Sequence, residues 1–292
     1  MGGELNVGRE TKIDWCDATW NPVTGCLHGC EYCYARKIAE RFGGCWRLDL
    51  PPDTSWRKNV DVGERRLMGD YARHRNGKCH VLNEPEIECA VFDPPNGYRG
   101  EKKPYPYYFD PTFHRYKLDE PQKWKKPRTI FVCSMADLFG DWVPDEWIAE
   151  VFKACEAAPQ HRYLFLTKNP KRYMELKLNG KLLKQHWYGT SVTRKDDRDF
   201  FAPGYNTFVS IEPILESFSD EKHAAYRQMV QPWVILGAET GNRKNKIVPK
   251  REWITELVDY YSKFGYTKFF MKDSLRSLMG ADFRQEFPWE EG

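Results

Sequence analysis

Long apolar runs are missing from this chain. No stretch approaches the roughly 20 residues that a membrane-spanning helix needs, so no membrane partner is expected. Met1 to Glu10 carry no apolar run, so no secretory signal is expected either. Disulfide density is low: nine cysteines in 292 residues do not make a small cross-linked scaffold. An excess of one charge is also missing, since the formal net charge is +3. That value neither demands nor excludes a nucleic-acid partner. There is no internal repeat, no low-complexity segment and no cysteine-rich C-terminal tail. A reducing, cytoplasmic setting fits these absences. What is present is core-forming material: 41% hydrophobic and 15% aromatic residues, enough for one large domain or two ordinary ones.

The most informative stretch runs from Trp20 to Ala35, where Cys26, Cys30 and Cys33 stand in the spacing C-x3-C-x2-C. Thiolates are soft ligands that suit iron–sulfur clusters or zinc. A closed zinc site wants four protein ligands, and the usual cluster site wants four cysteines. Three thiolates on one loop leave the fourth iron of a [4Fe–4S] cube open to a small molecule that chelates through an amine and a carboxylate. The alternative is a zinc knuckle closed by a fourth ligand such as His28, which would have to turn back onto its own loop. A disulfide framework leaves one of the three thiols unpaired.

Lys12 to Thr24 reads as a lead-in segment plus a first strand. Glu31 to Phe42 has Ile38, Ala39 and Phe42 at helical spacing, so the third cysteine opens a helix. Residues 43–107 read as an irregular, basic insertion within a single 1–292 domain, broken by turn signals such as Asp93-Pro-Pro-Asn-Gly97. Its basic run, Arg65, Arg66, Arg73, His74, Arg75 and Lys78, faces either a phosphate backbone or solvent. Cys45, Cys79, His80 and Cys89 read as ordinary thiols and a lone imidazole rather than a second metal site.

From Arg128 the pattern is regular. Short apolar runs are expected as strands at 129–133, 162–167, 187–192, 206–211, 232–237 and 267–271. Helices are expected at 144–157, 169–183 and 250–263. Continuous apolar runs alternating with helices mark a parallel sheet buried on both faces. Each run ends in polar residues, which a βα barrel gathers at one rim. The fold class is therefore α/β, a complete or partial TIM-type barrel with the cysteine loop after its first strand.

The cysteine spacing with Gly29 and Tyr32 resembles the radical S-adenosylmethionine (SAM) superfamily. Ile13-Asp-Trp, Ala18-Thr-Trp-Asn-Pro, Phe131-Val-Cys-Ser-Met-Ala-Asp, Phe165-Leu-Thr-Lys, Gly189-Thr-Ser-Val, Phe208-Val-Ser-Ile-Glu-Pro and Gly237-Ala-Glu-Thr-Gly resemble a family of phage-encoded radical SAM proteins related to spore photoproduct lyase. That resemblance covers residues 12–42 and about 108–275. It implies a partial (βα)6-type barrel, a [4Fe–4S] cluster on Cys26, Cys30 and Cys33, and SAM on the open iron. It further implies SAM contacts from Tyr32, Ser134, Lys168, Ser191 and Glu212, with Lys168 pairing the SAM carboxylate. Cys133 stands at a place similar to that of the cysteine with which the lyase returns a hydrogen atom to its product radical, although the phage-encoded relatives often carry Asn there; the alternative is a buried strand cysteine. Asp137, Glu239 and Lys272 fall in the substrate region. Rim carboxylates are also often structural, here with Arg243, Arg194 or Lys272 as partners.

The implied activity is cleavage of SAM to a 5′-deoxyadenosyl radical acting on a nucleic-acid base or modified nucleotide. The reaction type is isomerisation of a thymidine substituent in phage DNA hypermodification, or lyase-type repair. An electron donor such as flavodoxin or ferredoxin is implied, in the bacterial host cytoplasm for a phage-encoded protein. The alternatives are a radical SAM enzyme for a peptide or small metabolite, and a non-catalytic, metal-stabilised nucleic-acid-binding protein.

Overall fold

The computed structural model describes residues 11–44, 79–85, 87–93, 97–218, 231–263 and 265–290. The basic run at 65–78, Cys45 and the side chain of Cys89 lie outside them. In chain order the strands are β1 (Ala18–Trp20), β2 (Val23–Thr24), β3 (His80–Leu82), β4 (Ile87–Asp93), β5 (Gly97–Lys102), β6 (Thr112–His114), β7 (Thr129–Val132), β8 (Arg162–Thr167), β9 (Trp187–Val192), β10 (Asn206–Ile211), β11 (Trp233–Leu236) and β12 (Lys268–Met271). The α-helices are α1 (Tyr34–Phe42), α2 (Glu120–Lys123), α3 (Asp145–Glu156), α4 (Pro170–Leu178), α5 (Arg251–Ser262) and α6 (Arg276–Met279). No helix among the described residues is long and apolar enough to cross a membrane.

The chain divides into two compact units. The first takes its described residues from Met1–Trp20, Trp124–Val132 and Cys155–Gly292; the second takes them from Asn21–Lys123 and Cys133–Ala154.

The first unit is built on a seven-stranded sheet in the order β1-β7-β8-β9-β10-β11-β12. Every pairing in it is parallel. The family resemblance implies about six strands; there are seven because each of the seven apolar runs pairs with its neighbour in chain order. β1 and β12 are the end strands of this sheet; the outer edge of β12 is covered by residues 284–286, with Met271 N–H donating to Arg284 O at 2.8 Å and Glu286 N–H to Phe269 O at 2.9 Å.

The sheet curls. Trp15 lies 4.6 Å from Phe131 of β7 and 6.2 Å from Trp233 of β11, measured between ring centroids. Flat strands four positions apart would be separated by about 19 Å. One indole touches both because the sheet wraps around it. The concave face is lined by Phe131, Leu164, Phe208, Trp233, Ile235 and Phe270 packed on Trp15. The convex face, with Val209, Ile211, Val234, Leu236, Phe269 and Met271, packs against Ile254, Leu257, Val258 and Tyr261 of α5. Burying such a side chain fully contributes about 1.5–3 kcal/mol, so both faces of the sheet are committed. The run after β8 expected as helix to residue 183 stops at Leu178. Asn179-Gly180 ends it: Gly180 has φ +66, its N–H donates to Lys177 O at 3.0 Å, and Lys181 N–H donates to Leu176 O at 2.8 Å. This left-handed cap satisfies the last carbonyls and redirects the chain.

The second unit contains the three-stranded sheet β2-β6-β3, the β4–β5 hairpin, α1 and α2. Of residues 43–107, the described part thus supplies β3 and the hairpin. A small cluster of Ala35, Ala39, Phe109 and Met135 holds α1, with Cys26, Cys33 and Tyr105 against it.

Candidate cluster loop and sheet rim

In the second unit the cysteine loop is fixed at both ends. Gly25 enters it at φ +85 and bridges to Ala136, with its N–H donating to Met135 O at 2.9 Å. A Cβ at Gly25 would sit 2.2 Å from the Asp110 carbonyl oxygen, so only glycine fits. Gly29, at φ +72, makes the reversal between the first two cysteines. Cys30 O accepts from Cys33 N–H at 3.2 Å, closing a turn. Cys33 is the N-cap of α1, as its sequence position implied, and its Sγ accepts from Arg36 N–H at 3.3 Å. The helix N-terminus favours negative charge on that sulfur. Arg36 reaches back to donate to Cys26 O at 3.3 Å.

Burial pushes the Cys26 thiol up to about 12, against the lowering effect of a backbone hydrogen bond from His28. The charges of Asp137, Cys33 and Cys30 add to the rise, so the three sulfurs and Asp137 share one electrostatic neighbourhood. The donor set fits an anionic thiolate cluster: three soft sulfurs, one of them at a helix N-terminus. Among the described residues no group of three or more His, Cys, Asp or Glu is arranged to hold a metal ion. A four-iron cube spreads its thiolates wider than a single ion with bonds of about 2.3 Å.

The residues after β7 brace this loop. Asp137 is 5% exposed; its Oδ2 lies 2.7 Å from His28 Nε2 and its Oδ1 accepts from Phe139 N–H at 3.0 Å. His28 also sits edge-on to Trp142 with centroids 4.8 Å apart. Its Nε2 therefore faces a carboxylate and not the thiols, which removes it as the fourth ligand of a zinc knuckle through that nitrogen. Asn21 Oδ1 accepts from Ser134 Oγ at 3.2 Å and from Met135 N–H at 3.0 Å. Tyr34 OH donates to Ser134 O at 2.7 Å. Ser134 is thus gripped by residues before and after the cysteines. Tyr32 lies half-buried on the same loop.

Cys133 is fully buried, and burial pushes its thiol up to about 12. Its φ of +60 is unusual for a residue other than glycine. β7 has already ended at Val132, so strand alternation does not decide which way Cys133 points.

In the first unit, alternation explains the rim. Leu164 and Leu166, Phe208, and Trp233 with Ile235 lie on or against the concave cluster. Stepping by two carries Glu212, Gly237 and Lys272 to the same side, because the ladder runs one residue past these strands: their N–H groups donate to Val192 O, Ile211 O and Leu236 O. Trp187 does the same for Ser191, which stands opposite Ser210 in register. Lys168 follows the end of β8, where alternation no longer decides its direction. Lys272 Nζ contacts Glu212 Oε1 at 2.5 Å. Burial alone would pull the Lys272 ammonium down, but the charge and hydrogen bond of Glu212, with Asp14 and Cys16 beyond, leave it raised. A Cβ at Gly237 would lie 3.0 Å from Lys272 Cδ and 3.1 Å from Glu212 Cγ, so the pair packs where a side chain is missing.

Glu239 is 4% exposed and is held bidentately by Arg243, with both contacts at 2.7 Å. Arg194 pairs with Glu216 instead. The sequence did not single out Asn21 or Ser210, and it weighed His28 only as a metal ligand. Ser210 Oγ is buried with no hydrogen-bond partner among the described residues. Its signal was a hydroxyl two positions before Glu212 on an otherwise apolar strand.

No curated protein matches the chain. Solved structures similar to it include a cysteine-to-serine mutant of spore photoproduct lyase, at 11% identity and a TM-score of 0.43, with 92% of this chain and 81% of that one covered. Another is spore photoproduct lyase complexed with dinucleoside spore photoproduct, at 12% identity and a TM-score of 0.39, covering 86% and 75%. A tyrosine-to-phenylalanine mutant gives 10% and 0.40, covering 86% and 97%. A family profile matches residues 10–83 and 97–276, so it includes most of the stretch read as an insertion. By that match the chain belongs to the family described as Protein of unknown function (DUF5131).

Proposed function

We propose that this chain is a radical SAM enzyme whose Cys26, Cys30 and Cys33 hold a [4Fe–4S] cluster. One observation carries the reading: three thiols share a loop whose shape is set by Gly25, Gly29 and the N-cap of α1, with Cys26 influenced by the other two sulfurs. The chemistry that such a cluster and SAM supply when bound is reductive cleavage to a 5′-deoxyadenosyl radical, which takes a hydrogen atom from the substrate. The partial (βα)-barrel of the radical SAM kind is part of this proposal, supported by the open parallel sheet.

The chain's own residues divide the remaining work. Lys168 pairs the SAM carboxylate, a charge-assisted contact of about 1.5–3 kcal/mol. Tyr32, Ser134, Ser191 and Glu212 complete the SAM contacts, with Lys272 holding Glu212 in place. Asp137 acts through His28 to set the cluster loop, and Glu239 acts with Arg243 as a positioning pair. Cys133, buried away from water, is the hydrogen donor that quenches a product radical. The substrate class, on the strength of the sequence motifs, is a nucleic-acid base or modified nucleotide. The reaction is then rearrangement of a thymidine substituent in phage DNA or lyase-type repair, with a flavodoxin or ferredoxin supplying the electron in the host cytoplasm.

Anaerobic reconstitution tests this reading. The expected result is a brown protein with about four irons per chain, releasing 5′-deoxyadenosine with dithionite and SAM. Cys30→Ala abolishes that release. A colourless protein that leaves SAM intact, or a Cys30→Ala variant that still cleaves it, refutes the assignment. Cys133→Ala keeps SAM cleavage and changes the product distribution; unchanged products remove Cys133 from the mechanism.

A further inference from the structure

The first unit carries a recess at the opposite end of its sheet from Lys168, Ser191, Glu212 and Lys272. Thr129, Arg162 and Trp187, the first residues of β7, β8 and β9, all line it. Its volume is about 530 Å³, within the 300–1,000 Å³ of ordinary small-molecule sites. Three features of its walls define what it suits.

The first is flat aromatic surface. Trp15, Trp187 and Trp289 all line the recess, and Trp187 and Trp289 meet edge to face with centroids 5.4 Å apart. The second is in-plane polar capacity. Gln185 is an exposed amide on the wall, able to donate and accept, whereas the Gln160 amide nitrogen already meets Trp124 O and His161 Nε2, each at 3.2 Å. The third is charge balance. Arg128 and Arg162 stand with Asp17 and Glu290. Arg162 lies 4.1 Å over the Trp289 ring, and the charges of Asp17 and Glu290 act on it. No net positive field remains to select a polyanion.

Indole walls, the exposed Gln185 amide and balanced charge together describe the recognition of a neutral, planar, hydrogen-bonding heterocycle. We propose that this recess is a nucleoside-binding site, separate from the sheet rim. It does not rest on the radical SAM reading.

The test is titration of the intact protein with thymidine, deoxyadenosine, deoxyguanosine and deoxycytidine, followed by calorimetry and saturation-transfer NMR. At least one nucleoside is expected to bind one-to-one with a Kd of about 1 mM or tighter, that is about −4 kcal/mol or better. Trp289→Leu and Gln185→Ala each weaken it at least fivefold, on the order of 1 kcal/mol. Cys30→Ala leaves binding unchanged, so this test and the reconstitution test fail independently. The 5′-monophosphate binds no more than about tenfold tighter than its nucleoside, a margin of roughly 1.4 kcal/mol. Absence of binding by all four up to about 5 mM, or equal binding by Trp289→Leu and Gln185→Ala, overturns the proposal. A monophosphate preference beyond tenfold overturns the neutral-ligand assignment.

Discussion

Replacing Asp137 tests whether the cluster loop is held by a carboxylate on the segment after β7. Asp137 Oδ2 meets His28 Nε2 at 2.7 Å, and Oδ1 takes the Phe139 N–H at 3.0 Å. A hydrogen bond to a charged group is worth about 1.5–3 kcal/mol, and the His28 side chain is 23% exposed, so the lower end applies. The Phe139 N–H sits beside a fully buried ring and would lose this acceptor, at a cost of about 1–3 kcal/mol. Asp137→Ala should therefore lose about 3 kcal/mol locally. Asp137→Asn, which keeps an acceptor for Phe139, should lose about half of that. Because the chain forms two compact units, a single unfolding transition is not assured. The assay is amide hydrogen exchange at Phe139 and across the 26–33 loop, in a double-mutant cycle with His28→Ala. A coupling of about 1–2 kcal/mol is expected for a partly exposed pair of this kind. Exchange in Asp137→Ala within 0.5 kcal/mol of the parent, or a coupling below about 0.3 kcal/mol, refutes the reasoning.

Other outcomes follow from the same geometry. Gly25→Ala forces a Cβ to within 2.2 Å of the Asp110 carbonyl at φ +85; where a compatible Gly→Ala change stabilises by up to ~1 kcal/mol, this one should destabilise by more than that amount and lower iron incorporation on reconstitution. Glu212→Gln leaves the Lys272 ammonium without its charge partner, and loss of about 3 kcal/mol is expected by urea denaturation. The Lys272 value is raised above its ordinary 10.5. Its contribution is thus complete below that pH and fades as pH climbs through the folded-state value, and Lys272→Met should remove this alkaline limb. His114 behaves oppositely. Burial lowers it from 6.5 to about 3, with Thr24 Oγ1 2.9 Å from its Nε2. Between those values only the unfolded chain gains the proton, so stability should fall by about 1.4 kcal/mol per pH unit below 6.5. A His114→Gln variant with an unchanged acid limb would exclude His114 as its source.

The strands of the seven-stranded sheet were legible because each is an apolar run buried on both faces, and such runs stand out between helices. β1 was legible only as a region, since three residues carry too little pattern. The cysteine loop was legible from spacing alone, and Cys33 opening α1 followed from the helical period of Ile38, Ala39 and Phe42. The rim carboxylates were legible as a set with their candidate partners, because Arg243 is four residues from Glu239 and Lys272 ends a strand as Glu212 does. The His28–Asp137 contact was hidden because the two lie 109 residues apart. The turn at Cys133 was hidden because a cysteine gives no signal for positive φ. The Asn21 clamp was hidden by Pro22, which makes the preceding residue read as a turn former.

The placement of Ser191, Glu212, Gly237 and Lys272 on one side depends on counting by two from the tryptophan-lined hollow of the sheet. Deleting one residue from β10 would swing Glu212 outward among the leucines and valines beneath α5, while leaving the strand able to pair. Substitutions at these alternate sites, by contrast, leave the opposite face untouched. The sheet thus behaves like a keyboard with independent keys: chemistry at the rim can be rewritten one residue at a time by exchange, but not by insertion or loss.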